Sequence, residues 1–289
     1  MDVMMGLLAA IMWGATDFFI GVNARSVGVK RAVFFGQIIG LALMLIIMSL
    51  SSSQWERLTS ASLASIFIGV LASIFTLIGA LSLSKAFSLG QTAIVAPVVT
   101  SYGMFTALLA WLSGDTISIL QFAGIFLCFS GVALAGLSSP SGSVSFGVKN
   151  ARAVGFAFIA ALLYGSSFWM QGKFSLPDLG PINMLALTYI IGTLFLIPEL
   201  FRVTRDFTAM PLKTFGGLFA ASLLNLGGFS AFSWGAVSGS LSVVTVISTF
   251  SGAVAAMFGY FFNKEKLMPI QVVGVCLVLF GALMLHLFG

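Results

Sequence analysis

Long apolar runs separated by short polar linkers form the dominant pattern along this chain. Each run holds about 20 residues, the length that a helix needs to cross the hydrocarbon core of a bilayer. The linkers are built from polar residues and helix breakers, such as Ser51–Ser53 and Pro140–Ser143. The pattern predicts an all-α polytopic membrane protein. Its ten transmembrane helices are expected at residues 3–22, 32–50, 62–84, 91–112, 117–137, 153–173, 181–201, 214–235, 240–262 and 267–287.

One stretch of the chain occurs twice without a gap. Residues Ala86–Leu137 return as Ala236–Leu287, and both copies consist of an apolar run, a short acidic turn and a second apolar run. The second run carries two glycines at the same places in each copy, namely Gly124 and Gly131, and Gly274 and Gly281. Seven residues are about two helical turns, so each pair lies on one helix face and allows a neighbouring backbone to approach closely.

The earlier parts of the two copies also correspond, more loosely. Trp13–Phe18 resembles Tyr164–Trp169, and the longest polar interval, Ser138–Arg152, separates the halves. We therefore expect one five-helix repeat over residues 1–140 and a second over residues 150–289. Because five is odd, the second repeat enters the membrane inverted relative to the first. Inverted repeats around a central cavity are typical of secondary transporters, whose substrates bind between the repeats near the bilayer midplane.

The composition supports membrane insertion and excludes several classes of function. The chain is 59% hydrophobic and 7% charged, whereas about 25% of the residues of an ordinary soluble domain are charged. The net charge of +5 forms no basic stripe, which argues against nucleic-acid binding. Cys128 and Cys276 are expected to be small buried hydrophobes rather than a disulfide or metal pair. The single histidine, His286, gives no basis for a metal site, and we predict no cofactor. The first span has no basic leader or cleavage site, and we expect it to be retained.

The basic residues lie mainly on one side of the predicted membrane. The linkers after spans 1, 3, 5, 7 and 9 hold eleven of the thirteen, whereas the remaining linkers hold only Arg57 and Lys173. The eleven are Arg25, Lys30, Arg31, Lys85, Lys149, Arg152, Arg202, Arg205, Lys213, Lys264 and Lys266. Since cytoplasmic loops carry an excess of Lys and Arg, this bias predicts that both termini lie outside the cytoplasm.

Three recurring motifs together resemble a known family. The first is the aromatic-Gly opening of spans 1 and 6, and the second is Gly90–Pro97 at the start of span 4. The third is an acidic turn followed by Gln-x-x-Gly and a further glycine, at Asp115–Gly131 and Glu265–Gly281. The whole chain resembles the EamA-type members of the drug/metabolite transporter superfamily.

This resemblance implies two inverted five-helix halves around a central cavity. It also implies transport of small organic solutes, often export of amino acids, other metabolites or drugs. The chain departs from the family at Ile247, which stands in span 9 where the family has a proline. The family is also commonly drawn with cytoplasmic termini, whereas the charge bias here favours the opposite orientation.

Asp17 is the carboxylate that falls inside an apolar run rather than at its end. A charge there costs about 2.5–3.5 kcal/mol on insertion scales, so such residues usually face a cavity or a partner. One interpretation is that Asp17 binds a cationic or amine group, or takes up the proton that drives transport. The alternative is a carboxylate near the membrane edge, paired with a basic residue or with backbone groups.

Further candidates for substrate binding are aromatic or polar residues within the spans. Aromatic rings with polar tips suit a cavity for organic solutes, and helix packing or an interfacial belt is the alternative. Pro97 in span 4 and Ser248 in span 9 indicate helices that are broken or flexible in corresponding places, the alternative being close helix packing. Asn225 would bind substrate or tie two helices together. The candidate set is Trp13, Asp17, Pro97, Tyr102, Tyr164, Phe168, Trp169, Asn225 and Ser248.

These features favour a secondary transporter of the plasma membrane, directed outward in the sense of export, over other classes. The expected partners are a small organic solute, protons and membrane lipid, and ten spans in one chain are enough for a functional monomer. A lipid or isoprenoid flippase is the alternative, as is an intramembrane lipid-modifying enzyme, although the eight acids are scattered. No phosphate-binding Gly-rich loop is present, which argues against ATP hydrolysis.

Overall fold

The computed structural model describes residues 2–50, 52–114, 116–135, 148–203, 212–238, 247–248 and 250–287. Within these ranges the chain is helical, and the predicted all-α fold is confirmed. The helices are α1 (Asp2–Val27), α2 (Val29–Ser49), α3 (Ser52–Ser60), α4 (Leu63–Leu89), α5 (Thr92–Val99), α6 (Tyr102–Leu112), α7 (Ile119–Ala135), α8 (Val148–Met170), α9 (Leu176–Val203), α10 (Leu212–Ser238), α11 (Ser251–Asn263) and α12 (Pro269–Leu287).

The first two spans of each half are joined by a turn at a glycine. Gly28 separates α1 from α2 and has φ 87° and ψ 155°. Gly180 has φ 72° and ψ 168°, and it lies within the helical segment that follows α8 and the π-helical turn Gln171–Ser175. A side chain rarely adopts such a positive φ, so both turns favour glycine. The same reversal therefore recurs at matched places of the two halves.

Contacts between helices follow the inverted repeat. α1 packs against α10 and α11, and its counterpart α8 packs against α4, α5 and α6. Two further pairs join a helix to its own counterpart, namely α2 with α9 and α7 with α12, and α5 of span 4 packs against α11 of span 9. Most of the packing thus connects the two halves rather than closing each half on itself, as expected if neither repeat forms an independent bundle.

The glycine faces predicted from the repeat meet at the crossing of α7 and α12. A Cβ atom built on Gly131 would lie 2.6 Å from the carbonyl oxygen of Gly274, and one on Gly281 would lie 2.7 Å from that of Gly124. Halfway between these contacts, the Cys128 thiol donates to the carbonyl oxygen of Val278 at 3.7 Å. The crossing is antiparallel and symmetric, so the prediction of close backbone approach is confirmed.

The linkers sort onto two faces as the basic residues predicted. On the face that carries Arg57, its guanidinium donates to the carbonyl oxygens of Pro177 and Asp178, each at 2.9 Å. Ser65 and Ser62 donate to the carboxylate of Asp178, which lies before Gly180 and outside the spans. These hydrogen bonds, Ser65 first, and the charge of Arg57 hold the pKa of Asp178 below its ordinary value. We call this the opposite face.

The second face gathers the linkers that are rich in Lys and Arg, and we call it the basic face. Here the Arg25 guanidinium donates to the carbonyl oxygen of Phe87 at 2.8 Å, and the Gln91 amide donates to that of Lys266 at 3.3 Å. On each face, these hydrogen bonds join linkers that ten membrane-spanning helices would place on the same side of the membrane. Which face is cytoplasmic stays a prediction.

Three sequence expectations differ from the structure. Residues 52–60 form the short amphipathic helix α3 rather than a plain linker, with the Trp55 indole donating to the carbonyl oxygen of Met48. Cys128 is buried as expected, but Cys276 is exposed, because its side of α12 faces away from the bundle. The π-helical turn continues α8 almost directly into α9 where a linker was expected. The predicted boundary between the repeats at residues 138–152 falls largely outside the described residues, as do Asp115, Arg205, Thr245 and Thr249.

Replacing Gly131 by alanine should destabilise the protein by about 1–3 kcal/mol, since the new methyl group would overlap backbone atoms of α12. Thermal unfolding of the purified protein in detergent measures this change. Gly155→Ala is the matched control, because Gly155 lies in helix α8 with open space at its Cβ position. Equal unfolding temperatures for the two variants would contradict the proposed close crossing.

Candidate functional site

Asp17 lies in the interior of α1, eight residues before Arg25 at the basic face, a rise of about 12 Å along the helix axis. Its side chain lies deep in the bundle yet is only half-buried by accessible area. Within the part of the chain that the structure describes, no basic side chain lies at salt-bridge distance from the carboxylate. This geometry therefore does not support the alternative that Asp17 lies near the membrane edge and pairs with a basic residue.

Two tyrosines from different helices lie within electrostatic range of the Asp17 carboxylate. They are Tyr102, the first residue of α6, and Tyr164 in α8. Phe168 connects them, with ring centroids 5.1 Å from Tyr102 and 6.3 Å from Tyr164. Phe168 is also the residue that the repeat matches to Asp17. The structure thus places four of the predicted residues near one another, on α1, α6 and α8.

Span 4 is broken beside this cluster. α5 ends at Val99, and α6 begins at Tyr102. At the break the Thr100 hydroxyl donates to the carbonyl oxygen of Pro97 at 2.6 Å, and the Ser101 hydroxyl donates to that of Val98 at 2.7 Å. These hydroxyls satisfy carbonyls at the end of α5, as required where a helix is interrupted inside a membrane.

The break in span 4 lies against the start of α11 in span 9. A Cβ atom built on Gly252, the second residue of α11, would lie 3.2 Å from the Cα atom of Pro97 and 2.7 Å from the Thr100 methyl carbon. Ser248 is buried just before α11. Most of span 9 before it falls outside the described residues, so a break there stays a prediction.

Other candidates have contacts typical of helix packing. The Trp13 ring packs on Gly228 of α10, with Phe229 and Phe232 at centroid distances of 5.2 and 5.7 Å. The Asn225 amide donates to the Tyr189 hydroxyl at 2.9 Å and so ties α10 to α9.

Trp169 lies at the opposite face. Its indole donates to the Ser113 hydroxyl at 3.0 Å, and its ring contacts Phe174 at 5.6 Å. This position beyond the end of α6 is typical of an interfacial aromatic residue. The structure therefore does not bring Trp169 to the cluster, although Trp169 directly follows Phe168 in the chain.

Tyr189 is a polar residue of the interior that the sequence analysis did not select. It packs against Gly40 of α2, while Gln37 of α2 packs against Gly192 of α9. Gln37 and Tyr189 occupy corresponding places at this crossing, as do the two glycines. A hydroxyl within an apolar run was the available signal, similar in kind to that of Asp17.

The described residues contain no group of three or more His, Cys, Asp or Glu that could hold a metal ion. The arrangement can instead bind one solute by charge and by aromatic faces. Asp17 supplies the negative charge, and the rings of Tyr102, Tyr164 and Phe168 pack on one another beside it. Such rings attract cations as well as apolar groups.

Comparison with known proteins bears on this arrangement. A family model described as the EamA-like transporter family matches residues 1–137 and, a second time, residues 151–287. Twenty-one chains of solved structures match as well. One, described as "Crystal structure of protein", has a TM-score of 0.64 and 14% identity over 98% of this chain and 95% of its own length. At that identity it shows the shared fold alone. No curated protein matches the chain.

Trp13 and Phe168 should differ in their contribution to stability. Trp13→Ala removes a ring packed on Gly228 and should cost about 2–3 kcal/mol, somewhat less than a fully buried ring. Phe168 is 37% exposed, so Phe168→Ala should cost about 1 kcal/mol, the size of a lost aromatic pair. Thermal unfolding of the two variants in the same detergent tests the order. A greater loss for Phe168→Ala would mean that Phe168 is a packing residue.

Proposed function

Because the chain belongs to the EamA-like transporter family, we propose that it is a secondary transporter that exports small organic solutes by alternating access. The substrate site is the cluster of Asp17, Tyr102, Tyr164 and Phe168. It lies between the two repeats, where inverted-repeat transporters bind their substrates. In alternating access, a site at this location is exposed first to one side of the membrane and then to the other.

One observation carries the proposal. A carboxylate of the first half, on α1, lies near two tyrosines on other helices, Tyr102 on α6 and Tyr164 on α8 of the second half. Without a basic partner among the described residues, this charge is available for a solute or a proton. A buried charge is costly in a membrane and is usually retained for function.

The rings beside the carboxylate favour a solute with an amine and an apolar part. A cation over a tyrosine or phenylalanine face gains about 0.5–2 kcal/mol, more when water is excluded. An amino acid or an amphipathic amine offers both groups. Asp17 would bind the amine directly or take up a proton that couples transport, and these roles give different results on mutation.

The test is counterflow in proteoliposomes with a panel of amino acids, amines and lipophilic cations, with and without a pH gradient. Wild type is compared with Asp17→Asn, which keeps the shape of the side chain and removes its charge. If Asp17 binds the amine, counterflow of cationic substrates should fall at least about tenfold, the effect of losing about 1.4 kcal/mol. If Asp17 carries the coupling proton, counterflow should persist while accumulation driven by the pH gradient disappears.

Glu56→Gln serves as the control, because Glu56 is an exposed carboxylate on α3, away from the cluster. Its counterflow should equal that of wild type. If folded wild-type protein shows no counterflow with any solute of the panel, the small-solute proposal fails. Lipid translocation would then be the function to measure.

We also propose that the protein lies in the plasma membrane with both termini outside the cytoplasm. Positions for a single cysteine are Lys30 on the basic face and Glu56 on the opposite face, both exposed. A membrane-impermeant thiol reagent added to intact cells should label Glu56→Cys and leave Lys30→Cys at the level of the parent protein. The reverse pattern would overturn the orientation that the basic residues favour.

A further inference from the structure

The turn between α4 and α5 is held at both ends by charged groups from other helices. The Glu265 carboxylate, in the turn between α11 and α12, accepts a hydrogen bond from the Ala93 backbone N–H at 2.8 Å. The Arg25 guanidinium of α1 donates to the carbonyl oxygen of Phe87 at 2.8 Å. The two charges also attract one another. The turn at the start of span 4 is thus held by α1 on one side and by the turn between α11 and α12 on the other. We call this pair of contacts the clamp.

Both charges are placed where a helix end favours them. Glu265 lies at the N-terminus of α5, where the unpaired N–H groups and the helix dipole attract an anion. Arg25 lies at the C-terminus of α4, where the last carbonyls attract a cation. The Asn263 amide donates to the second carboxylate oxygen of Glu265 at 3.1 Å and fixes its orientation. The contact is therefore a built feature of the basic face rather than a chance approach of two surface side chains.

Among the residues that the structure describes, three polar atoms beside the clamp are buried without a hydrogen-bond partner. They are the Ser84 hydroxyl oxygen, the Gln91 amide oxygen and the Thr92 hydroxyl oxygen. Buried polar groups are destabilising unless they are hydrogen-bonded, whereas water would satisfy them in an opened arrangement. The clamp favours the closed basic face, and these atoms oppose it. A small difference between two states is what a transporter needs in order to alternate between them.

The Arg25 side of the clamp has no charged equivalent at the matched position of the other half. The repeat that matches Asp17 to Phe168 matches Arg25 to Leu176, which carries no charge. A guanidinium at this place therefore distinguishes the basic face from the opposite face. This asymmetry sets the two faces apart in a fold that is otherwise symmetric in its contacts.

We propose that Glu265 and Arg25 form the gate latch of the basic face. While closed, the latch holds α5, the eight-residue half of span 4 that runs from this face to the break at Thr100–Ser101. Release of Glu265 from Ala93 lets the basic-face end of α5 part from α1 and α11, with the break as the hinge. The solute site beside Tyr102 then opens to the basic face. Glu265 and Arg25 are positioning residues, since they act through α5 and do not touch the solute. The inference rests on alternating access as proposed above.

Thiol accessibility tests the latch without any substrate. Thr92 is fully buried under the Glu265 contact, and Thr92→Cys keeps nearly the same volume. The purified protein in lipid nanodiscs is treated with a membrane-impermeant maleimide, and the labelling rate above that of the parent protein is measured. In the Glu265→Ala background the rate should rise about tenfold, the scale of losing a hydrogen bond to a charged group. Arg25→Gln should raise it less, because Arg25 is exposed.

Two further variants keep the test decisive. Glu265→Gln retains an oxygen that accepts from Ala93 but loses the charge, so its rate should lie between those of the parent and Glu265→Ala. It also serves if Glu265→Ala does not fold. Glu56→Gln is the charge control on the opposite face and should leave the rate unchanged. An unchanged rate in folded Glu265→Ala or Glu265→Gln protein overturns the latch, whether or not counterflow is found. A raised rate in protein that shows no counterflow supports the latch while the transport proposal fails.

Discussion

The packing of the two repeats on one another is the constraint on which the rest of the structure depends. Inside a bilayer the lipid chains are as apolar as leucine, so helices associate through close packing and hydrogen bonds rather than by escape from water. Here the close packing lies between counterparts, with Gly124 facing Gly281 and Gly131 facing Gly274. Glycine at both sides allows backbone contact along α7 and α12, and this crossing anchors one half to the other.

The same pairing determines where a site can form. Because α1 packs on α11 and α8 packs on α5 and α6, the first helix of each repeat lies against span 4 or span 9 of the other repeat. A residue in the interior of α1 therefore meets residues of both halves. Asp17 is at such a position, and its match in the second half is Phe168. The two repeats are alike in their packing, but the proposed site between them is asymmetric. The first half contributes the charge of Asp17, and the second half contributes the ring of Phe168.

Much of the fold follows from one-dimensional features of the sequence. Apolar length gives the spans, and the repeat with its paired glycines gives the crossing of α7 and α12, because both depend only on spacing along a helix. The cluster was partly predictable for the same reason, since Asp17, Tyr164 and Phe168 lie within apolar runs. Trp169 shows the limit, because one residue along a helix rotates the side chain by about 100° and moves it to another environment.

Other features depend on which helices become neighbours. Cys276 and Cys128 occupy similar apolar runs, but only the face of α12 toward α7 is buried. The polarity of the residues does not distinguish the lipid-facing side from the packed side, since both are apolar. Likewise, nothing near Glu265 in sequence points to Ala93, 172 residues away. That contact exists because α5 of span 4 packs against α11 of span 9.

In the sequence, the acidic turn and the broken helix are separate motifs. In the fold, the packing of α5 on α11 brings them together. The turn after α11 reaches α5 because α5 and α11 lie side by side, and α5 is short because span 4 breaks near the middle of the membrane. A short helix fixed by a hydrogen bond at one end and by a break at the other responds as a unit when the first contact is lost. The contact that stabilises the basic face therefore also acts on Tyr102, which begins the next helix beside Asp17. Position in the inverted repeat, rather than distance along the chain, links the surface turn to the interior charge.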